Sequence, residues 1–282
     1  MRFEIDHLTL YRYSVPVRLG EHLLRLLPLQ RAGQQPGYCE LSIDPLPVYS
    51  EEIVDPWGNR LLRAQFEGET DWLQIRAHLE VQTSPPLGGL SPPDFPLPAY
   101  YAADSVLLAP YLTPMGDAKG DRDALRRFVE PLAAASAGSG MAFLHGLNRA
   151  VHGFYQRGIR VDGPPRSAAQ TLARGEGVCR DLSVLFMAAC RHMGIAARFV
   201  SGYQQGEAQR DIRFLHAWAE VNLPGWGWIG FDPTHAVAVG ADHVAIATGP
   251  SAELVTPVEG GYSFQGPELR STLDTDIRIS TC

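Results

Sequence analysis

The chain has 282 residues, 45% of them hydrophobic and 20% charged, with a formal net charge of −7 at pH 7. This is the composition of an ordinary globular protein, long enough for two modest cores. Lys and Arg are scattered, so no basic stripe offers itself to nucleic acid or an anionic membrane, and no stretch approaches the roughly 20 apolar residues of a membrane span.

The start, Met1-Arg2-Phe3-Glu4-Ile5-Asp6-His7, places charges inside what would have to be an apolar leader, so no signal peptide is expected. The four cysteines have irregular spacing that fits no disulfide framework and no zinc site. Together these points lead us to expect a cytoplasmic protein with reduced thiols.

Up to about residue 82 the pattern is one of short alternating runs at 3–13, 21–28, 38–45, 51–54, 59–66 and 73–81. Turn residues such as Asp55-Pro56-Trp57-Gly58-Asn59 separate them, which predicts a β-sandwich over residues 1–84. His7, His22 and His78 are scattered through it without chemical context. Residues 85–118 are rich in Pro, Gly and Ser and read as an extended connector. Tyr100, Tyr101, Leu107, Leu108 and Tyr111 make it too apolar to be a free linker, so it should pack on a surface. A third segment, 119–282, follows. It begins with helices expected at 121–135 and 140–156, a loop around Pro164-Pro165 and a short helix at 167–173. His145 and His152, seven apart on the second of these helices, read as packing.

The next helix carries the most chemistry. After Cys179 the apolar residues Leu182, Leu185, Phe186, Ala189 and Met193 recur at helical spacing, and Gly194 supplies a stop. Cys179 therefore sits at the first turn of a buried amphipathic helix, where free N–H groups and the positive end of the macrodipole favour thiolate over thiol. Gly175 and Gly177 precede it in a loop suited to close approach of a substrate, and Asp181 falls where a carboxylate can cap the helix. Cys190, deep in the same helix, reads as core. Cys39 and Cys282 have no chemical context.

Residues 195–203 read as a strand, and residues 216–223 alternate cleanly between two faces. Pro224-Gly225-Trp226-Gly227 is a turn, followed by a second strand over 228–232. A hairpin centred on Pro224 would oppose His216 to Asp232, Trp218 to Gly230 and Glu220 to Trp228, within reach of a direct side-chain contact. A thiol, an imidazole and a carboxylate thus occur in the order a cysteine nucleophile needs: nucleophile, base and orienter. Further strands are expected at 244–247 and 277–279, with 253–266 a loop-rich return and Asp274-Thr275-Asp276 a solvated turn. No calcium loop or glycine-rich phosphate loop is present, and neither metal nor cofactor is expected.

Four stretches resemble the transglutaminase-like superfamily, in its bacterial branch with an added N-terminal β domain. They are Gly175 to Asp181, Gly194 to Tyr203, His216 to Val221 and Gly227 to Thr234. The resemblance implies a papain-like Cys-His-Asp triad, with Cys179 as nucleophile, His216 as general base and acid, and Asp232 as orienter. Two features depart from the family. Leu182-Ser183-Val184 replaces a Phe-Ala-His run, and no Trp lies between Trp72 and Trp218 to act as an oxyanion donor. The Cys179 N–H is one candidate donor. Tyr155 or Gln156 is a candidate for the second, and Trp218, Trp226, Trp228 and Tyr203 are candidates for lining the cleft.

The expected fold is α+β: an N-terminal β-sandwich, then a papain-like core with the Cys179 helix packed on an antiparallel sheet. The expected activity is acyl transfer from an amide or peptide bond through a thioester, with hydrolysis favoured and a peptide or protein as substrate. Alternatives are a cross-linking transglutaminase, another acyltransferase of the arylamine acetyltransferase kind, or a non-catalytic peptide-binding module. Substrate specificity is assigned to loops such as 204–214, and the sequence does not disclose an oligomeric state.

Overall fold

The computed structural model describes residues 1–85, 89–101, 105–116, 119–155, 160, 163–206 and 214–282. The molecule is α+β, built on two antiparallel sheets. The first has seven strands: β1 (Arg2–Leu24), β2 (Gln34–Asp44), β3 (Tyr49–Val54), β4 (Arg60–Gln65), β5 (Thr70–Thr83), β11 (Val258–Phe264) and β12 (Ser271–Thr281). Five of them run in the order β2-β5-β1-β4-β3, and β11 and β12 both pair with β1.

The long β1 makes this possible. Its first half lies between β5 and β12, and after an irregularity between Arg12 and Val17 its second half pairs with β11 and β4. Alternating Phe3 and Ile5 face inward with Leu73, Ile75, Leu79 and Val81, as period-two burial requires. The expected loop at 253–266 is in part a strand, because β11 pairs with β1 over Val258–Phe264. The chain thus returns at its end to the sheet with which it began, and residues 119–282 contribute to both sheets.

The second sheet has the order β10-β6-β7-β8-β9, comprising β6 (Ala197–Gln204), β7 (His216–Leu223), β8 (Gly227–Asp232), β9 (Val237–Ala238) and β10 (His243–Gly249). Between the sheets in sequence come α1 (Ala109–Leu112), α2 (Lys119–Ala135), α3 (Gly140–His152), α4 (Ala168–Arg174) and α5 (Cys179–His192). α4 is fixed by a capping box, in which the Ser167 hydroxyl accepts from Gln170 N and the Gln170 side chain accepts from Ser167 N. α5 is apolar nearly all round. Leu182, Leu185, Phe186, Met187, Ala189 and Cys190 are buried among Leu144, Leu147, Val151, Ala219, Val221 and Phe231. A helix buried on every face cannot slide, which holds its first residue in place.

Side-chain bonds lock the two sheets together. Gln34 behaves as an extra strand residue: its amide donates to the Leu29 and Ala245 carbonyls and its oxygen accepts from Ala245 N. Asn59 does the same at Thr248. Arg31 reaches Glu220 at 2.5 Å, and Arg198 of β6 holds the same carboxylate at 2.7 Å. Tyr101 ties the segment before α1 to the second sheet, its hydroxyl donating to Asn222 O and accepting from Ala196 N.

Candidate functional site

Cys179 is the first residue of α5, and Asp181 holds that end of the helix in place. The Asp181 carboxylate is fully buried. It accepts from Val178 N at 3.1 Å and from Arg166 N at 2.8 Å, and it pairs with Arg160. The loop before the helix is pinned from the other side, where Gly177 N donates to Phe154 O and Tyr155 forms a parallel bridge with Gly177. The sulfur therefore sits at a rigid, electropositive helix start, half-buried, with the Cys179 N–H among the amides that a first helical turn leaves unpaired.

His216 comes to it from the first residue of β7. Its Nε2 donates to Asp232 Oδ2 at 2.8 Å, which leaves Nδ1 for the hydrogen bond with the Cys179 thiol. The Asp232 side chain has no exposed surface, and that of His216 is 11% exposed. The hairpin register differs from the one expected. Ala219 opposes Phe231, Glu220 opposes Gly230, Val221 opposes Ile229 and Asn222 opposes Trp228, so the hairpin is centred on Gly225. Gly225 and Gly227 take positive φ (71° and 107°), and Trp226 N donates to Leu223 O. The turn thus lies one residue later than the Pro224 centre. This moves the pairing by two residues, which preserves the face. By the same count Trp218 falls opposite Asp232, and His216 reaches the carboxylate diagonally.

Gly230 makes room for Val239 rather than for the indole, since a Cβ there would lie 2.5 Å from Val239 Cβ. Trp218 packs instead over Gly202, where a Cβ would lie 2.6 Å from its ring.

The electrostatics favour an ion pair. Burial on its own would raise the Cys179 pKa, but the His216 hydrogen bond and charge, the Ala217 N–H and the Arg180 charge outweigh it, and the thiol is lowered. Burial would depress His216, but Asp232 and Cys179 reverse this and raise it well above the histidine range. Asp232 is held far below the carboxylate range because its hydrogen-bonded histidines overcome its burial. In Cys190, deep in the same helix and without a hydrogen-bonded histidine, burial pushes the thiol up. Both directions favour the thiolate–imidazolium pair over the neutral one.

Sequence reasoning missed three residues around Asp232. Besides His216, its Oδ2 accepts from His235 Nδ1 at 2.6 Å and from His243 Nε2 at 3.2 Å, while Oδ1 accepts from Thr234 N at 2.8 Å. His243 in turn reaches Asp242 Oδ1 through Nδ1 at 2.9 Å. His235 follows directly on the Gly227 to Thr234 stretch, so its place in the sequence is the one local signal for it. His243, the first residue of β10, and Asp242 just before it lie beyond β6 and β7 from the strand of Asp232, and only the tertiary fold brings them in. His152 of α3 also does more than pack, its Nδ1 lying 3.2 and 3.0 Å from the Pro233 and Thr234 carbonyls and bracing the turn after Asp232. His216, Asp232 and His243 offer ligand-type atoms within 4.8 Å of one another. A cation could be held there only in place of the protons that now link them.

Two expected cleft residues are placed elsewhere. Trp218 and Tyr203 have no exposed surface. The Tyr203 hydroxyl pairs with His7 Nδ1 between the sheets, and Trp218 stacks edgewise on His243 at 5.2 Å, behind the site. Their β-strand neighbours bury them, so they support the cleft rather than line it. Trp228 carries Arg198 over its ring at 4.2 Å and meets Tyr111 edgewise. Tyr155 is half-buried beside the Cys179 loop and stacks on His152, which keeps it adjacent to the site. Gln156 and the greater part of the 204–214 loop lie outside the described residues.

Comparisons with known proteins agree with this geometry. Residues 147–233 match the transglutaminase-like superfamily, and residues 3–82 match the bacterial transglutaminase-like N-terminal region. An uncharacterized protein of Mycobacterium tuberculosis is 29% identical over 92% of this chain and 87% of its own. A protein-glutamine gamma-glutamyltransferase of Pseudomonas aeruginosa is 38% identical over 22% of this chain and 10% of its own length. The fold is shared with a candidate cysteine protease of Cytophaga hutchinsonii, at a TM-score of 0.70 and 21% identity, covering 99% of this chain and 90% of that one. The chain belongs to the transglutaminase-like superfamily, with the bacterial N-terminal region ahead of its core.

Proposed function

We propose that the protein is a cysteine-nucleophile enzyme that transfers the acyl group of an amide or peptide bond, with water as its acceptor. The observation that carries this reading is Cys179 at the start of α5, hydrogen-bonded to a buried His216 whose other nitrogen is held by Asp232. The Cys179 thiolate attacks the carbonyl carbon, and the oxyanion forms beside the helix-start N–H groups. On collapse the C–N bond breaks, and the imidazolium Nδ1 gives its proton to the leaving amine. The thioester remains on sulfur. Neutral His216 then takes a proton from water as it attacks, the acid leaves, and thiolate and imidazolium are restored.

Hydrolysis is supported by the fold shared with the candidate cysteine protease of Cytophaga hutchinsonii. The local likeness to the Pseudomonas aeruginosa protein-glutamine gamma-glutamyltransferase supports a second reading, in which a primary amine replaces water. Both use the same thioester. The test is a panel of glutamine-containing peptides and peptide amides, with and without a primary amine acceptor, followed by mass spectrometry. Release of acid or a cleaved peptide at a rate independent of amine supports hydrolysis, and amine-dependent incorporation supports transamidation. Absence of any acyl-enzyme at Cys179 with every substrate would overturn both.

A further inference from the structure

His243 enters the site from the first residue of β10, outside the hairpin that carries His216 and Asp232. Its side chain has no exposed surface, and both ring nitrogens face carboxylate oxygens: Nδ1 lies 2.9 Å from Asp242 Oδ1 and Nε2 3.2 Å from Asp232 Oδ2. A neutral imidazole carries a proton on one nitrogen only, so its other lone pair would face a carboxylate oxygen at hydrogen-bond distance. Only the imidazolium donates at both ends.

We propose that His243 is a positioning residue, held as an imidazolium between Asp232 and Asp242, that fixes the Asp232 carboxylate against His216. It also sets how strongly that carboxylate draws a proton onto His216. The inference rests on the proposed role of Cys179 and His216. Five groups then alternate in sign along one line: Cys179 thiolate, His216 imidazolium, Asp232 carboxylate, His243 imidazolium and Asp242 carboxylate.

Among the described residues, the groups facing His243 are Asp242 from its own turn, Asp232 from the end of β8, and His216 with the Trp218 ring from β7. On the far side Gln204 of β6 donates to Asp242 Oδ2 at 3.5 Å. The position of His243 also explains why the carboxylate does not rotate. Donors occupy both of its oxygens from different elements, with Thr234 N on Oδ1 and the imidazoles on Oδ2. His235 shares Oδ2, but its side chain is 43% exposed and open to water. Of the two additional histidines, only His243 is sealed in.

The direct test is the nitrogen-15 spectrum of the histidine rings in the full-length protein, recorded from about pH 5 to about pH 9. His243 should keep protons on both nitrogens across the range, and a chelator should leave the pattern unchanged. A single neutral tautomer at neutral pH, or a pattern altered by the chelator, would overturn the proposal. The second readout is the pH profile of Cys179 alkylation in His243→Asn and Asp242→Asn variants, with folding checked by circular dichroism.

Removing the positive charge should raise both limbs of the profile by about one unit, and removing the negative charge should lower them by less. Unmoved limbs, or shifts of the same sign in both variants, would contradict it. If His243→Asn does not fold, Asp242→Asn and the spectrum decide. Should Cys179 of the unsubstituted protein prove unreactive, the proposed function fails, yet the spectrum still reports the charge of His243.

Discussion

The β7–β8 hairpin carries two buried carboxylates whose surroundings differ in one respect. Glu220 is 1% exposed and is gripped by Arg31 and Arg198. Asp232 is fully buried and is gripped by His216, His235 and His243. Both are held low, Glu220 at about 2 because its two arginines outweigh its burial, and Asp232 lower still. Arginine does not release its proton at any physiological pH, so the Glu220 knot is permanent and ties the first sheet to the second. An imidazolium can give up a proton where a guanidinium cannot, so the Asp232 knot can take part in a reaction that moves one. One hairpin thus has a structural end and a chemical end, and the partner type distinguishes them.

The largest effects should come from breaking the chemical end. Cys179→Ala and His216→Ala should each lower turnover by a factor on the order of 10⁶, measured on whichever peptide amide the unsubstituted enzyme accepts. Asp232→Asn should cost on the order of 10⁴, because the amide can present the wrong donor to His216 Nε2 and leave its tautomer unfixed.

The structural end should respond in the opposite way. Glu220→Gln leaves two arginines facing each other around a neutral group, and its unfolding free energy should drop by about 3 kcal/mol in denaturant titration. The pH profile of Cys179 alkylation should stay where it was. A profile displaced by Glu220→Gln would mean that the two knots are not independent.

Acid titration sharpens the same contrast. Glu220 is depressed from 4.5 to about 2, so its contribution is fully present above about pH 4.5 and lost as pH falls through about 2. Thermal melts should therefore fall over that window, and the loss should be smaller in Glu220→Gln. A melt that declines equally in both proteins would place the acid-sensitive group elsewhere. The smallest effect is expected at the second cysteine of α5. Cys190→Ala removes one buried sulfur from a packed core and should cost roughly 1 kcal/mol while leaving reactivity at Cys179 intact.

Much of this arrangement is legible in the sequence, and the limits have physical causes. The α5 start is readable because Leu182, Leu185, Phe186 and Ala189 mark one period and Gly175 and Gly177 mark the approach. The His216–Asp232 contact is readable for a subtler reason. The turn was placed one residue early, but the resulting two-residue shift in pairing keeps every side chain on its face.

What could not be read was anything supplied by strand order. His243 and Asp242 look like a turn before an ordinary strand, and nothing local signals that β10 returns to β6 and brings them behind Asp232. The pairing of β11 and β12 with β1 was hidden for the same reason. Gly202 was the one available hint. A mid-strand glycine often marks a close approach, here of Trp218 and the Val244 carbonyl. The aromatic residues assigned to the cleft misled because Trp218 and Tyr203 are as suited to a core as to a binding wall.

The central claim is that Cys179 rests as a thiolate paired with His216, and one measurement tests it most directly. Alkylation of Cys179 is followed by mass spectrometry across pH, with buried Cys190 as internal reference and His216→Ala alongside. The account predicts fast modification of Cys179 well below the free-thiol pKa of about 8.5, lost in His216→Ala, with Cys190 inert. A Cys179 that reacts only as the pH approaches the pKa of an ordinary thiol, or that is unaffected by removal of His216, would contradict it.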